Sequence, residues 1–431
     1  MQRLLVALAV LLSSQVVSCG RPAQPKGPRA DAVTLQAASQ NQFVKAGIPA
    51  QLTVRVALGV APIERNGRPP ANLALVVDTS GSMEGKAIED ARAAALALVD
   101  SLSPKDRLSV VVFNSKTDVL LPSTLLDDAD MKEVRAKLHE MRAEGTTDMA
   151  KGLEAGIQQV TSHLDPEGVN RVILLGDGVP NDEGPIDAMV QGAAARGVSV
   201  TALGLGPDYN ETLMGRIAQV SGGKFQYVAD SSKVASFFKE EVGRLQKTYA
   251  RDAWLDLTAG PGVTVLSTIG QEIVRTPTGV RVHVGDLALG EKMDVIVKLA
   301  VTARKDGAVV ELMDGVLTFN EGLAGTQAER RVFVGIHATE DANKLAKGKN
   351  ADVENAAARA QQAADTLEQI RLARESDVPK PASPVSAGGG GGGIQPSAPL
   401  TARPRSQAFP APAPADVRRQ HDEAMNVLQK H

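Results

Sequence analysis

Asp78, Ser80 and Ser82 stand at alternate positions in the run LALVVDTSGSM, directly behind a block of apolar residues. One carboxylate and two neutral hydroxyls are hard oxygen donors, the kind that an octahedral Mg²⁺ takes while keeping several waters. Two further stretches carry similar groups. Gly145-Thr146-Thr147-Asp148 precedes an Ala/Leu-rich segment that starts at Met149, and Leu174-Leu175-Gly176-Asp177-Gly178 ends a second apolar block. Open α/β sheets bind ligands at the carboxyl ends of their strands, so Asp78, Ser80, Ser82, Thr147 and Asp177 are candidate ligands of one divalent cation. A lone Asp-x-Ser-x-Ser would serve equally well as a pair of caps in a solvated turn. Three such segments in order favour the ion. Asn181, Asp182 and Glu183 follow at once and are expected either to rim the site or to form a solvated loop.

Other chemistries find less support. Ser80 lacks the Gly-x-Ser-x-Gly setting of a nucleophile, and no histidine is placed by motif as its base. The six histidines are scattered, without His-Glu-x-x-His or Cys-x-x-Cys spacing. Gly204-Leu205-Gly206 lacks the rest of a phosphate-binding glycine pattern and reads as a turn. A net charge of -3 and 3% aromatic residues argue against a nucleic-acid partner. The chain is therefore expected to bind rather than to catalyse.

The elements that must position these groups can be read from periodicity. Between residues 72 and 247, short continuous apolar runs alternate with Ala/Leu-rich helical stretches: Leu73 to Val77, Arg107 to Phe113, Arg171 to Leu175, Ser199 to Leu205 and Lys224 to Val228 read as strands. Uninterrupted runs joined by helical crossovers predict a doubly wound, mostly parallel α/β sheet. On either side, in residues 32–71 and 248–338, apolar and polar residues alternate between Gly and Pro punctuation, which predicts antiparallel strands. The expected fold is thus an α/β domain inserted in, or joined to, a β-sandwich-like domain. Residues 339–376 favour helix, with a break at Gly348, and residues 377–414 read as a Pro/Gly-rich linker. Residues 415–431 form a short amphipathic tail, expected to be disordered, a marginal helix or a docking element.

The order Asp-x-Ser-x-Ser, then threonine, then Asp-Gly resembles the von Willebrand factor A family and its metal-ion-dependent adhesion site, over residues 72 to about 246. The resemblance implies Mg²⁺, or Mn²⁺ or Ca²⁺ in its place, with Ser80 and Ser82 as direct ligands. Thr147 would ligate directly or through water, and Asp78 and Asp177 largely through water. Thr147 rather than Thr146 matches the family, because Gly152 follows it by five residues; Gly176 departs from it, where many relatives have threonine. The resemblance further implies recognition of an acidic group on a protein partner, since a cation held by neutral hydroxyls stays electrophilic. The overall layout resembles bacterial proteins of this family likened to calcium-activated chloride channel relatives, without implying channel activity.

At the N-terminus, Arg3 and the apolar run Leu4 to Leu12 make residues 1–18 an expected export signal. Val16-Val17-Ser18-Cys19 resembles the lipobox of bacterial lipoproteins, which implies that Cys19, the sole cysteine, carries the lipid and that residues 19–31 are a tether. Gly20 in place of Asp resembles the pattern sent to the outer membrane. The sum is a lipid-anchored binding module of a bacterial cell envelope. Two alternatives stay open: a structural scaffold whose metal only holds loops together, and a metal-dependent envelope hydrolase.

Overall fold

The computed structural model describes residues 32–64, 67–176, 184–205, 210–228, 231–321, 326–377 and 415–430. In chain order these contain β1 (Val33–Ser39), β2 (Phe43–Lys45), β3 (Ala50–Val60), β4 (Ala71–Asp78), α1 (Lys86–Ser101), β5 (Arg107–Phe113), β6 (Thr117–Leu125), α2 (Met131–His139) and α3 (Met149–Thr161). There follow β7 (Val169–Gly176), α4 (Ile186–Ala194), β8 (Val198–Leu205), α5 (Glu211–Val220), β9 (Phe225–Val228), α6 (Val234–Lys247), β10 (Thr248–Ala259), β11 (Val263–Ile269), β12 (Val274–Thr276) and β13 (Gly279–Ala288). The last are β14 (Lys292–Val301), β15 (Val309–Glu321), β16 (Gln327–Thr339), α7 (Ala342–Lys347), α8 (Ala351–Asp377) and α9 (Ala415–Lys430).

Alternation in β3 buries Leu52, Val54, Val56, Leu58 and Val60 on one face. That face closes one half of a sandwich: the sheet β1-β3-β14-β11 lies against the sheet β12-β13-β10-β15-β16-β2. Strand β4, in contrast, is buried along its whole length, as a strand covered on both faces must be. It is central to the third sheet, ordered β6-β5-β4-β7-β8-β9, in which β5, β4, β7, β8 and β9 run parallel. Helices α1, α2 and α6 cover one face and α3, α4 and α5 the other. The chain leaves the sandwich after β3 and re-enters it at β10, whose first residue follows α6 directly. The α/β body is therefore inserted between two sandwich strands, and the expected fold class is the observed one.

Three elements differ from the sequence reading. β6 was not expected; it pairs antiparallel with β5 at the sheet edge, and its polar residues and Pro122 suit an edge that gives no continuous apolar run. β16 alternates charged with apolar residues and extends the sandwich beyond the strands expected there. Gly348 does separate α7 from α8, but α8 then runs unbroken for 27 residues. Its contact stripe is Ala356, Ala360 and Ala363 against Ile269 and Ile296, too small in side-chain volume to stand out as an apolar face.

The two bodies are joined by a buried ionic cluster. Arg171 of β7 is fully buried; its guanidinium pairs with Glu241 of α6, donates to Asp286 of β13 at 2.6 Å and to Ser199 Oγ at 3.0 Å. Burial opposes the charge of Glu241, but Arg171, Arg244 and Lys224 outweigh it and hold its carboxyl below the ordinary range. Nearby, Glu291 accepts from Lys224 at 2.7 Å and from Arg244 at 3.2 Å. Burial raises its pKa, Arg244 and Lys224 lower it further, and it settles at about 2 against an ordinary 4.5.

Two outcomes follow from this cluster. Arg171→Ala leaves Glu241 and Asp286 buried without their cation and should cost about 3–5 kcal/mol in chemical denaturation. Because the folded pKa of Glu291 lies below its ordinary value, its stabilisation is complete above pH 4.5 and is lost as pH falls toward 2. A shift of this size is worth about 3 kcal/mol; Glu291→Gln should remove that amount at neutral pH and flatten the stability profile between pH 4.5 and 2.

Candidate metal centre

β4 carries Asp78 to the carboxyl edge of the sheet with no exposure at all. Its Oδ1 accepts a hydrogen bond from Ser80 N at 2.8 Å, an Asx turn that bends the chain within two residues. The bend brings the Ser80 and Ser82 hydroxyls to 3.0 Å from one another, Ser80 buried and Ser82 exposed.

The neighbouring loops are laced to this turn through backbone. Gly81 N donates to Gly145 O at 3.1 Å, and Glu144 N donates to Thr79 O at 2.8 Å. Thr79 turns the other way, and both its N (2.8 Å) and its Oγ1 (3.1 Å) donate to Phe113 O at the end of β5. Asn114 closes the ring: its Nδ2 donates to Thr79 Oγ1 at 3.3 Å and its carbonyl accepts from Asp148 N at 2.9 Å. Gly145 has φ +76°, and a Cβ there would come within 2.7 Å of Ser115 Oγ, so conformation and space both demand glycine.

Of the two adjacent threonines, Thr147 is buried and Thr146 exposed. Asp148 is engaged elsewhere, capping α3 at Lys151 N and pairing with Lys151 Nζ at 2.7 Å. Burial raises its pKa, but the Lys151 contacts prevail and hold the carboxyl below its ordinary range. The seat of α3 decides where Thr147 sits. Gly152 and Gly156 face the sheet, and a Cβ on either would collide, with the Phe113 ring and with Val76 respectively. Two glycines one turn apart thus let the helix backbone approach β4 and β5 closely.

The end of β7 completes what is described. A Cβ on Gly176 would stand 3.5 Å from Asp78 Oδ2, so the last residue of β7 faces the Asp78 carboxylate. Asp177 is the next residue; it lies outside the described residues, as do Asn181, Asp182, Glu183 and Cys19. Sequence reasoning missed Thr79 and Asn114. The signal for Asn114 was the Asn-Ser-Lys turn directly after an apolar run, whereas Thr79 was hidden between the two residues that drew attention.

The side chains fit a small hard dication. Octahedral bonds of about 2.1 Å put adjacent donors about 3 Å apart, which is the separation of the Ser80 and Ser82 hydroxyls. The buried carboxylate behind them supplies negative charge. Among the described residues no group of three or more His, Cys, Asp or Glu is placed to hold an ion.

A doubly wound sheet with this constellation at its carboxyl edge defines a class of open α/β binding domains. Residues 72–240 match the family model of the von Willebrand factor type A domain and carry its fold. A von Willebrand factor type A protein from Catenulispora acidiphila superposes with a TM-score of 0.66 at 18% identity, covering 80% of this chain and 82% of that one. The ArnB paralog VWA2 from Sulfolobus acidocaldarius gives 0.59 at 18% identity, covering 80% and 86%. The uncharacterised protein YfbK of Escherichia coli (strain K12) is 30% identical over 252 residues, 55% of this chain and 43% of that one. The chain spans about half the length of the curated relatives it matches.

Gly152→Ala should destabilise the protein by about 1–3 kcal/mol through overpacking against the Phe113 ring and, for the cation site proposed below, should also weaken Mn²⁺ binding by lifting α3 off β5. Gly192 in α4 has open space where a Cβ would go, so Gly192→Ala should leave Mn²⁺ affinity unchanged. Thermal unfolding and calorimetric Mn²⁺ titration of the two variants check the pair.

Proposed function

We propose that this chain is a non-catalytic binding module of a bacterial cell envelope, attached through a lipid on Cys19, whose α/β domain recognises an acidic group of a protein partner through a divalent cation. The observation that carries the reading is the Ser80–Ser82 hydroxyl pair, 3.0 Å apart, with the Asp78 carboxylate buried at the same turn. Domains of this type commonly act in adhesion and protein interaction rather than catalysis.

Each residue has a task in this reading. The Ser80 and Ser82 hydroxyls hold the ion; Asp78, tied to Ser80 N, fixes the turn that aims them and contributes its charge. Thr147 and Asp177 complete the ligand set, and Asn181, Asp182 and Glu183 rim it. When bound, Mg²⁺, Mn²⁺ or Ca²⁺ supplies an electrophilic position that a partner carboxylate can fill. Because Asp78, Ser80, Ser82 and Thr147 stand on turns laced to one another by backbone hydrogen bonds, this reading has the site organised before a partner arrives. Among the described residues no helix is long and apolar enough to cross a membrane; membrane attachment in this proposal runs through Cys19.

The test begins with the metal alone. Mn²⁺ at 100 times its dissociation constant should stabilise the wild-type protein by about 2.7 kcal/mol, and Asp78→Ala or Ser80→Ala should abolish that gain. Envelope extracts are then passed over wild type in Mg²⁺, wild type in EDTA, and folded Asp78→Ala/Ser80→Ala. Retention of a partner by metal-loaded wild type alone supports the proposal, whereas equal retention by all three overturns it and moves the binding surface to the sandwich or tail.

A further inference from the structure

The C-terminal helix α9 is held by side chains from three separate parts of the molecule. His421, Ala424, Met425 and Leu428, at spacing i, i+3, i+4, i+7, are all buried, which is the pattern of a helix that lays one face into a groove. The His421 ring meets Phe225 of β9 edge-on, centroids 5.3 Å apart. Met425 rests on Gly215 of α5, where a Cβ would stand 3.3 Å from its Cε. Leu428 fills the hollow over Gly270, a glycine with φ +81° whose Cβ would overlap it, and the Leu428 carbonyl accepts from Gln271 Nε2 at 3.2 Å. Ala424 and Leu428 also join the alanine stripe of α8 and Ile269 and Ile296 of the sandwich. The α/β body, the sandwich and α8 thus each supply one wall.

Two features make this helix separable. Thirty-seven residues, 378–414, separate α8 from α9 in the sequence, so α9 does not follow α8 through a short connection. A 16-residue helix is also marginal in water on its own, so its form depends on the groove. Beside its last turn is a cleft of about 750 Å³ between the two bodies, lined by Trp254, His283, Lys224 and Arg244 and, from α9, by Leu428. A second hollow of about 350 Å³ lies against His421, Met425 and Leu428.

We propose that α5, β9, the Gly270–Gln271 turn and α8 form a helix-docking groove, that α9 occupies it as a releasable strap from its own chain, and that release of α9 opens the interdomain cleft. The helix lies across both bodies, so its departure frees their shared cleft and the groove in one event. Any helix that replaces it must present a ring, a small side chain, Met and Leu in that order at the same i, i+3, i+4, i+7 spacing.

The test uses the full-length chain and a fluorescent peptide of residues 415–430. In wild type the tethered copy competes with the free peptide, whereas Met425→Glu/Leu428→Glu vacates the groove, so the variant should bind the peptide at least about tenfold more tightly. Trp254 is the sole tryptophan and lines the cleft; acrylamide should quench it more strongly in the variant, and added peptide should reverse the gain. Peptide binding to neither protein, or equally to both, overturns the proposal. Hydrogen exchange on wild type gives a readout that survives misfolding of the variant: α9 amides exchanging at least about tenfold faster than those of α3 support a strap, since local opening then costs less than global unfolding. Exchange of α9 together with α3 overturns it.

Discussion

A carboxylate placed at the end of a fully buried strand is costly, because loss of hydration charges several kcal/mol per ion unless hydrogen bonds and opposite charge replace the water. Asp78 is in this position. Its Oδ1 takes the Ser80 amide, which at the same stroke bends the chain and points two hydroxyls across the sheet edge. The burial that makes the carboxylate expensive also makes its field strong, since little water screens it. A small dication in front of Ser80 and Ser82 is the counter-charge such an arrangement favours. The lacing of Thr79, Glu144, Asn114 and Asp148 by backbone and amide bonds then reads as the means of keeping the turn rigid around that charge.

The same logic governs the joint between the bodies. A domain inserted between two sandwich strands is fixed at its entry and exit, yet the exit from α6 into β10 has no intervening residue. Arg171, Glu241 and Asp286 sit where β7, α6 and β13 converge. An apolar trio of equal volume could match such a cluster in stability. What the ionic cluster adds is direction: a guanidinium accepts its partners only along fixed N–H vectors, so it sets the rotation of α6 and β13 about β7. Glu291, drawn to Lys224 and Arg244, extends that control to the floor of the cleft.

Much of this was legible in the sequence, for physical reasons that can be assigned residue by residue. LALVV and RVILL announce strands covered on both faces, so the doubly wound fold could be read directly, and the Asp78, Ser80 and Ser82 oxygens that follow the first of them sit where the chain turns. What escaped were features whose signal is weak or non-local. β6 is an edge strand with Pro122 and has no apolar run to betray it. The α8 stripe is alanine, and an alanine helix packs through shape rather than hydrophobic contrast. Asn114 matters because of Thr79 and Asp148, partners that only the folded chain brings to it. Docking of the tail was one of the readings open for residues 415–431; what escaped was the groove, which depends on Gly215 and Gly270, each of which reads in sequence as an ordinary helix or turn glycine.

Sheet polarity separates the two surfaces that emerge. In a parallel sheet all carboxyl ends lie at one edge, so Asp78, Gly176 and their loops share it. Gly223 and Lys224, which precede β9, and Ala195, which precedes β8, belong to the opposite edge, and these residues line the interdomain cleft. A partner bound at the hydroxyl site would therefore approach the molecule from the side away from the sandwich, leaving α9 and its groove uncovered. Strands β4, β7 and β8 connect the two edges as one hydrogen-bonded unit buried on both faces, and close packing of this kind resists independent movement of its parts. The insertion thus gives the α/β body two distinct ends on a stiff middle: one that carries the turn of Asp78, Ser80 and Ser82, and one that the rest of the chain holds.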